Sequence, residues 1–148
     1  MTMDPAAVQR VRSHIARIAP SFDHVVSVFF RRLARQSPFG RQLAAPSSKQ
    51  ARFEFAEAVS AVTKNLDHLD SANWVFERIS AVFNNAGVAP SDMLALRSSM
   101  LGAIAECSGA QWDRQLDADF SSVIGAVFSR VKLTAQAAPQ AVPFRKAA

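Results

Sequence analysis

Apolar residues recur along this chain at the spacing of amphipathic helices. Three clear stripes are Phe22-Val26-Phe29-Phe30-Leu33, Phe55-Val59-Val62-Leu66 and Val75-Ile79-Val82-Phe83. Two more are Met93-Leu96-Met100-Ile104-Cys107 and Trp112-Leu116-Phe120-Val123-Ile124-Val127-Val131. Runs that alternate apolar and polar residues between turn residues, which would predict strands, are absent from the sequence. The pattern predicts an all-α domain of about seven helices, one of them short.

Proline, glycine and short polar residues predict where the helices begin and end. Asp4 followed by Pro5 predicts the start of the first helix, and Pro20 predicts its end near Ile18. The predicted N-caps of three later helices are Ser21, Ser71 and Ser91. Gly87 is predicted to end a helix in the left-handed conformation.

The domain limits follow from where the periodicity stops. Two long helices are predicted over 49–67 and 111–132. We expect residues 1–134 to form one domain, which is large enough to bury its own core. Residues 135–148 contain two prolines and little periodicity. We expect this segment to be a disordered tail.

Composition narrows the class of protein further. The chain has 148 residues, of which 49% are hydrophobic, but it has no uncharged apolar run of 18 residues. A transmembrane helix is therefore not expected. Arginines interrupt the N-terminal segment, so a signal peptide is not predicted. The single cysteine, Cys107, fits a reducing compartment, and the expected location is the cytoplasm.

The chain is basic, with a formal net charge of +5. Such a charge is compatible with binding to nucleic acid. However, the basic residues are spread over several predicted helices, with one local cluster at Arg31, Arg32, Arg35 and Arg41. This spread favours a solvated basic surface, and binding to DNA or RNA is kept as a minor alternative.

Candidate chemical groups are few. His14, His24 and His68 have no metal-ligand spacing and are expected to face solvent or to cap helices locally. Cys107 is expected to be a buried structural thiol. Asp113 and Asp117 fall four residues apart and are interpreted as solvent-facing charge on one helix face. Because no nucleophilic pair or glycine-rich phosphate loop accompanies these groups, the sequence does not indicate an enzyme.

Three segments resemble the bacterial globins, namely the single-domain haemoglobins and the globin part of flavohaemoglobins. The first is Phe29-Phe30-Arg31-Arg32-Leu33 followed by Ser37-Pro38, and the second is the segment from Ala58-Val59 to Lys64-Asn65-Leu66-Asp67-His68-Leu69. The third contains Glu77-Arg78-Ile79 and Gly87-Val88-Ala89-Pro90. The resemblance implies the globin fold, in which helices pack pairwise around a haem pocket.

The same resemblance aligns this chain with the haem pocket of the family. It places Phe83 at the proximal histidine, which is the axial iron ligand, and Phe30 at the distal tyrosine. Ala51 falls near the distal glutamine or histidine, and Phe55 corresponds to the distal leucine. The full set of implied pocket positions is Phe30, Ala44, Ala51, Phe55, Val82, Phe83, Val88 and Met93. Asp119 corresponds to a family glutamate that has lost its partner, and it is expected to be exposed.

These replacements remove ligating or polar atoms or fill the pocket with carbon. Phe30, Phe55 and Phe83 would each contribute about 1.5–3 kcal/mol by burial. The hypothesis is a globin-like sensor or interaction module with a degenerate haem site, which binds a protein partner or a small apolar ligand and needs no cofactor.

Two further expectations accompany this hypothesis. The alternative function is a haem-binding globin that carries or senses O2 or NO through a non-standard ligand. The candidate ligands are His68, Met93 and Cys107. A homodimer through the last two helices is a further expectation, with candidate contacts at Leu94, Leu101 and Phe128.

Overall fold

The computed structural model of the protein describes residues 3–134, which are all-α with no strand. The helices are α1 (Pro5–Ile18), α2 (Phe22–Gln36), α3 (Pro38–Ala44), α4 (Lys49–Lys64), α5 (Asn73–Asn85), α6 (Met93–Ser108) and α7 (Arg114–Phe128). Six of these have 13 to 16 residues, and α3 has seven. The predicted all-α class is therefore confirmed for this range. The predicted disordered tail lies outside the described residues.

Helix starts follow the sequence at α1 and α2 but not at α5 and α6. The Asp4 side chain accepts a hydrogen bond from the backbone N–H of Ala6 at 3.1 Å, as an N-cap does. Ser21 stands at the predicted N-cap of α2, but its side chain makes no cap bond. The predicted caps Ser71 and Ser91 are wrong, because both lie inside short 3-10 turns that precede α5 and α6. Before α6, Asp92 instead accepts from the N–H of Ala89 at 2.8 Å.

Two helices are shorter than predicted. α4 ends at Lys64 rather than near residue 67. At this end, Asn65 donates its side-chain N–H to the carbonyl of Ala61 at 2.8 Å. α7 starts at Arg114 because Asp113 caps it, accepting from the N–H of Leu116 at 2.8 Å. Asp113 therefore caps α7 instead of sharing a helix face with Asp117, but both side chains are exposed, as predicted.

The helices bury most positions of the predicted stripes in one core. Seven stripe residues are only half-buried and pack against that core: Phe22, Val59, Met93, Cys107, Trp112, Leu116 and Val127. α2 packs against α3 and α6, α4 packs against α5, and α7 packs against α1 and α6. The largest side chains with essentially no exposure are Phe29, Phe55, Phe83, Phe120, Leu33 and Leu96. At the crossing of α2 and α3, a Cβ on Gly40 would lie 2.2 Å from the carbonyl oxygen of Leu33. Only glycine permits this close approach.

The turn between α5 and α6 follows the sequence prediction. Gly87 has a φ of 81°, in the left-handed region that favours glycine. The N–H of Val88 then donates to the carbonyl of Phe83 at 3.0 Å, which ends α5. Val88 itself is fully buried.

In the described part of the chain, no helix combines the length and the apolar character needed to span a membrane.

Candidate functional site

Four aromatic rings from three helices meet in the centre of the core. This phenylalanine cluster consists of Phe29 and Phe30 from α2, Phe55 from α4 and Phe83 from α5, each at most 2% exposed. The ring of Phe55 stacks on Phe29 at 5.1 Å and lies 5.3 Å from Phe30 and 5.4 Å from Phe83. These are the offset and edge-on distances that aromatic pairs prefer. The four rings are therefore closely packed against each other and leave no cavity between them.

The position that the resemblance assigns to the axial ligand is thus filled with carbon. Phe83 offers no lone pair, and its ring packs against Phe55, which the resemblance aligns with the distal leucine. Val82 and Val88 beside it are 6% and 0% exposed.

The remaining pocket positions are more open. Ala51 and Met93 are half-buried and pack at the edge of the core. Ala44, at the end of α3, is exposed. The structure thus places five of the eight positions together in the core interior and three at or near its surface.

The candidate ligand atoms for a non-standard haem site are dispersed. His68 is exposed on the loop after α4. Met93 and Cys107 lie at opposite ends of α6, about 20 Å apart along the helix axis. Burial raises the pKa of the half-buried Cys107 thiol, and Glu106 raises it further, so the neutral thiol is favoured over a thiolate. Among residues 3–134, no group of three His, Cys, Asp or Glu side chains could hold a metal ion.

Empty space lies elsewhere, in a narrow opening that we call the apolar crevice. It lies between α1, α4 and α7, with α6 behind it, and it has a volume of about 70 Å³. Its mouth is lined by the half-buried side chains Ile15, Phe22, Val59, Thr63 and Val127. Buried residues, including Val11, Phe120 and Ile124, line the interior. Thr63 is the one lining residue with a polar side chain, and its hydroxyl donates to the carbonyl of Ser60.

The size and lining of the crevice determine what it can hold. Its volume exceeds the 10–15 Å³ that one water molecule requires, but a water there would find no hydrogen-bond partners. A fully apolar cavity of about 150 Å³ in another protein stays dry and binds benzene. The crevice is about half that size and open at its mouth, which suits a small apolar group or the end of an apolar chain.

Two buried polar groups fix α1, which forms one wall of the crevice. His14 is only 2% exposed, which corrects the expectation that it faces solvent. Its Nε2 lies 2.7 Å from the hydroxyl of Ser108, which in turn donates to the carbonyl of Ile104 at 2.7 Å. Because the hydroxyl proton is already used, Nε2 carries the hydrogen and donates it to Ser108. Nδ1 is buried without a hydrogen-bond partner, which disfavours a second proton on the ring. Burial lowers the pKa of His14, and Arg17 lowers it further.

Asp119 on α7 is the second buried group. It is 4% exposed, so the expectation that it is exposed is wrong. The Arg10 guanidinium donates to both of its carboxylate oxygens, at 2.6 and 3.0 Å, and Gln115 adds a third hydrogen bond at 3.0 Å. These contacts, the one from Arg10 above all, lower the pKa of Asp119. The ion pair ties α1 to α7.

The predicted basic cluster is partly neutralised. Arg31 and Arg32 donate to the two oxygens of Glu106 on α6, at 2.6 and 3.0 Å, and lower the pKa of that carboxyl group. Two of the four clustered arginines therefore join α2 to α6.

The chain matches no protein-family model and no curated protein.

Proposed function

We propose that this protein is a globin-like sensor or interaction module that binds a small apolar ligand in the apolar crevice and has lost the haem of the family it resembles. The observation that carries the proposal is the contrast between two places in one core. The family ligand position at Phe83 is packed with aromatic rings, whereas the crevice between α1, α4 and α7 is open and apolar.

The packing around Phe83 argues against haem as the ligand. A bound haem requires a planar gap and an axial donor atom. Phe55 and Phe83 stand 5.4 Å apart across the space where the resemblance puts the iron, and neither has a donor atom. The residues present therefore do not fit the cofactor.

The crevice supports an apolar ligand for energetic reasons. Atoms that line a void lack the dispersion contacts that packed atoms make. A ligand there would restore those contacts and would remove its own apolar surface from water, at about 25 cal/mol per Å². A charged or strongly polar ligand would lose its hydration without compensation, because Thr63 is the one lining side chain with a polar group.

Benzene and hexane are suitable first probes. We expect saturable chemical-shift changes at the methyl groups of Val59, Ile124 and Val127 when either probe is titrated into isotope-labelled protein. Val59→Phe, which fills the mouth of the crevice, should abolish these changes. Leu94→Ala, at an exposed position on α6 away from the crevice, should not. Shifts that spread over the whole core, or that survive Val59→Phe, would refute the crevice as the site.

The haem alternative is tested by titrating hemin and recording the absorption spectrum. The wild-type protein is expected to give the broad, unsaturable band of free hemin. A sharp, stoichiometric Soret band that moves with CO would instead establish haem ligation, and substitution of His68, Met93 and Cys107 in turn would find the ligand.

The alignment with the family can be tested separately. The double variant Phe55→Leu/Phe83→His supplies the axial histidine and the smaller distal residue that the resemblance implies. It is expected to gain haem binding that Phe55→Leu alone lacks. A double variant that folds but binds no hemin would argue against the globin resemblance, while the probe experiment would still test the crevice.

A further inference from the structure

A long open groove lies between α2 and α4, on the outer side of the phenylalanine cluster. This α2/α4 groove has a volume of about 1000 Å³. Its floor is apolar and includes Val26, Phe30 and Ala56. Phe53 stands on its rim and is 56% exposed, one of the few large hydrophobic side chains with this exposure. A large exposed aromatic beside an apolar floor marks a surface for protein contact.

Each helix that borders the groove carries a basic and an acidic side chain, separated by eight residues. On α4, Lys49, Phe53 and Glu57 recur every four residues and line the groove as a basic, aromatic and acidic stripe. On α2, Asp23 and Arg31 lie eight residues apart in the same groove, which is about 12 Å along the helix.

The start of α2 lies toward the end of α4. Phe22, at the start of α2, lines the crevice together with Thr63 near the end of α4, whereas Phe30 contacts Phe55 further back. Asp23 therefore lies at the same end as Glu57, and Arg31 at the same end as Lys49. The groove has one acidic end and one basic end, with Phe53 one helical turn from either charge on α4.

These charges have little compensation within the subunit. Over residues 3–134, Asp23, Lys49 and Glu57 form no ion pair with another described residue. Arg52, which also lines the basic end, donates to the neutral carbonyls of Leu43 and Ala45. Arg31 shares Glu106 with Arg32.

We propose that a second copy of this chain covers the α2/α4 groove in a two-fold symmetric dimer. A two-fold axis through the rim near Phe53 would set the two α4 helices antiparallel. Each Lys49 would then face Glu57 of the partner subunit, and the two Phe53 rings would meet at the axis over the apolar floors. An occupant with an aromatic side chain between an acidic and a basic group in reversed order would complement this stripe, and a second copy supplies this pattern by symmetry alone.

The order of the charges gives a sharp test by sedimentation equilibrium at low salt on the full chain. The wild type is expected to be dimeric. In Glu57→Lys, each Lys49 would face a lysine of the partner subunit, and the symmetry repeats this repulsion at both ends of the interface. This variant should raise the dimer dissociation constant at least about tenfold. The reversed variant Lys49→Glu/Glu57→Lys keeps the stripe self-complementary and should restore the dimer.

Mixing two repelling variants sharpens the test. Glu57→Lys makes the stripe wholly basic and Lys49→Glu makes it wholly acidic, so each alone should be monomeric and a mixture should form a heterodimer. Thermal unfolding of each variant checks that it folds, since all these positions are exposed. Leu94→Asp on α6 is the matched control, because Leu94 is 77% exposed and away from the groove.

Three results would overturn the proposal. They are a wild type that stays monomeric at all concentrations, a dimer indifferent to the charge changes, and a dimer that Leu94→Asp disrupts. The last result would place the interface on α6, as the sequence suggested. Phe128, one of the contacts suggested there, is only 4% exposed and is unavailable to such an interface.

Discussion

The phenylalanine cluster and the apolar crevice lie in the same hydrophobic core and share Phe55, but they differ in packing. In the cluster, flat rings from α2, α4 and α5 meet at centroid distances of 5.0–5.4 Å. In the crevice, mostly aliphatic side chains on α1, α4 and α7 face a gap. The comparison teaches that close packing and open space can lie side by side in one core. The rings around Phe83 are closed against each other, and the crevice opens on the other side of Phe55.

The largest expected difference between the two regions is in their response to truncation. Phe83→Ala should lower the free energy of unfolding by about 3–5 kcal/mol, since it opens a cavity among fixed rings. Val127→Ala at the mouth of the crevice should cost only about 1 kcal/mol, because the side chain is half-buried beside an existing gap. Urea unfolding of both variants measures this difference. Equal losses would mean that the two regions are packed alike.

Enlargement should show the same asymmetry, with a smaller effect. Ala58 and Val59 are adjacent on α4, but Ala58 is 1% exposed in the packed core and Val59 borders the crevice. Ala58→Phe should cost about 1–3 kcal/mol or more through overpacking. Val59→Phe should stay within about 1 kcal/mol of the wild type. Thermal unfolding compares the pair, and a larger loss for Val59→Phe would show that the crevice has no room.

The smallest expected effect is that of pH, which should act on the crevice wall and not on the cluster. Folding lowers the pKa of His14 below 6.5, so the contribution of its neutral form is complete above about pH 6.5. This contribution falls as the pH drops from 6.5 toward the lower pKa of the folded state. Denaturant unfolding between pH 5 and 8 should show this slope in the wild type.

The matched variant for this effect is His14→Phe, which should flatten the slope over that range. Asp119 acts only at lower pH, because its folded pKa lies below 3.8 and its ion pair is lost as the pH falls through that lower value. A slope between pH 5 and 6.5 that persists in His14→Phe would assign the effect to another group.

Much of the fold could be predicted from the sequence because burial follows helical period. The stripe that ends in Phe83 is buried as predicted, and Gly87 ends the helix with a positive φ. His14 and Asp119 were misjudged because polarity was given more weight than position. His14 lies three residues after Val11 and four before Ile18, and Asp119 precedes Phe120 on the inward face of α7. In both cases the period indicated burial, and a partner on another helix makes that burial tolerable.

The crevice could not be predicted in the same way. Val59 and Val62 belong to one stripe on α4, yet Val62 is 4% exposed and Val59 is half-buried. The difference arises because α1 and α7 do not close over Val59, and that depends on the arrangement of three helices. The charged stripe at Lys49 and Glu57 was readable in the sequence, but its significance depends on which end of α2 lies near each charge.

Phe22 borders both the apolar crevice and the α2/α4 groove. A ligand that turns this side chain at the crevice mouth also alters the surface on which a second subunit would rest. Thermodynamic linkage makes such an influence mutual, so that a ligand which tightens self-association tenfold would itself bind tenfold more tightly to the associated form. A single half-buried aromatic side chain can thus couple occupancy to assembly, and it would do so without any metal centre.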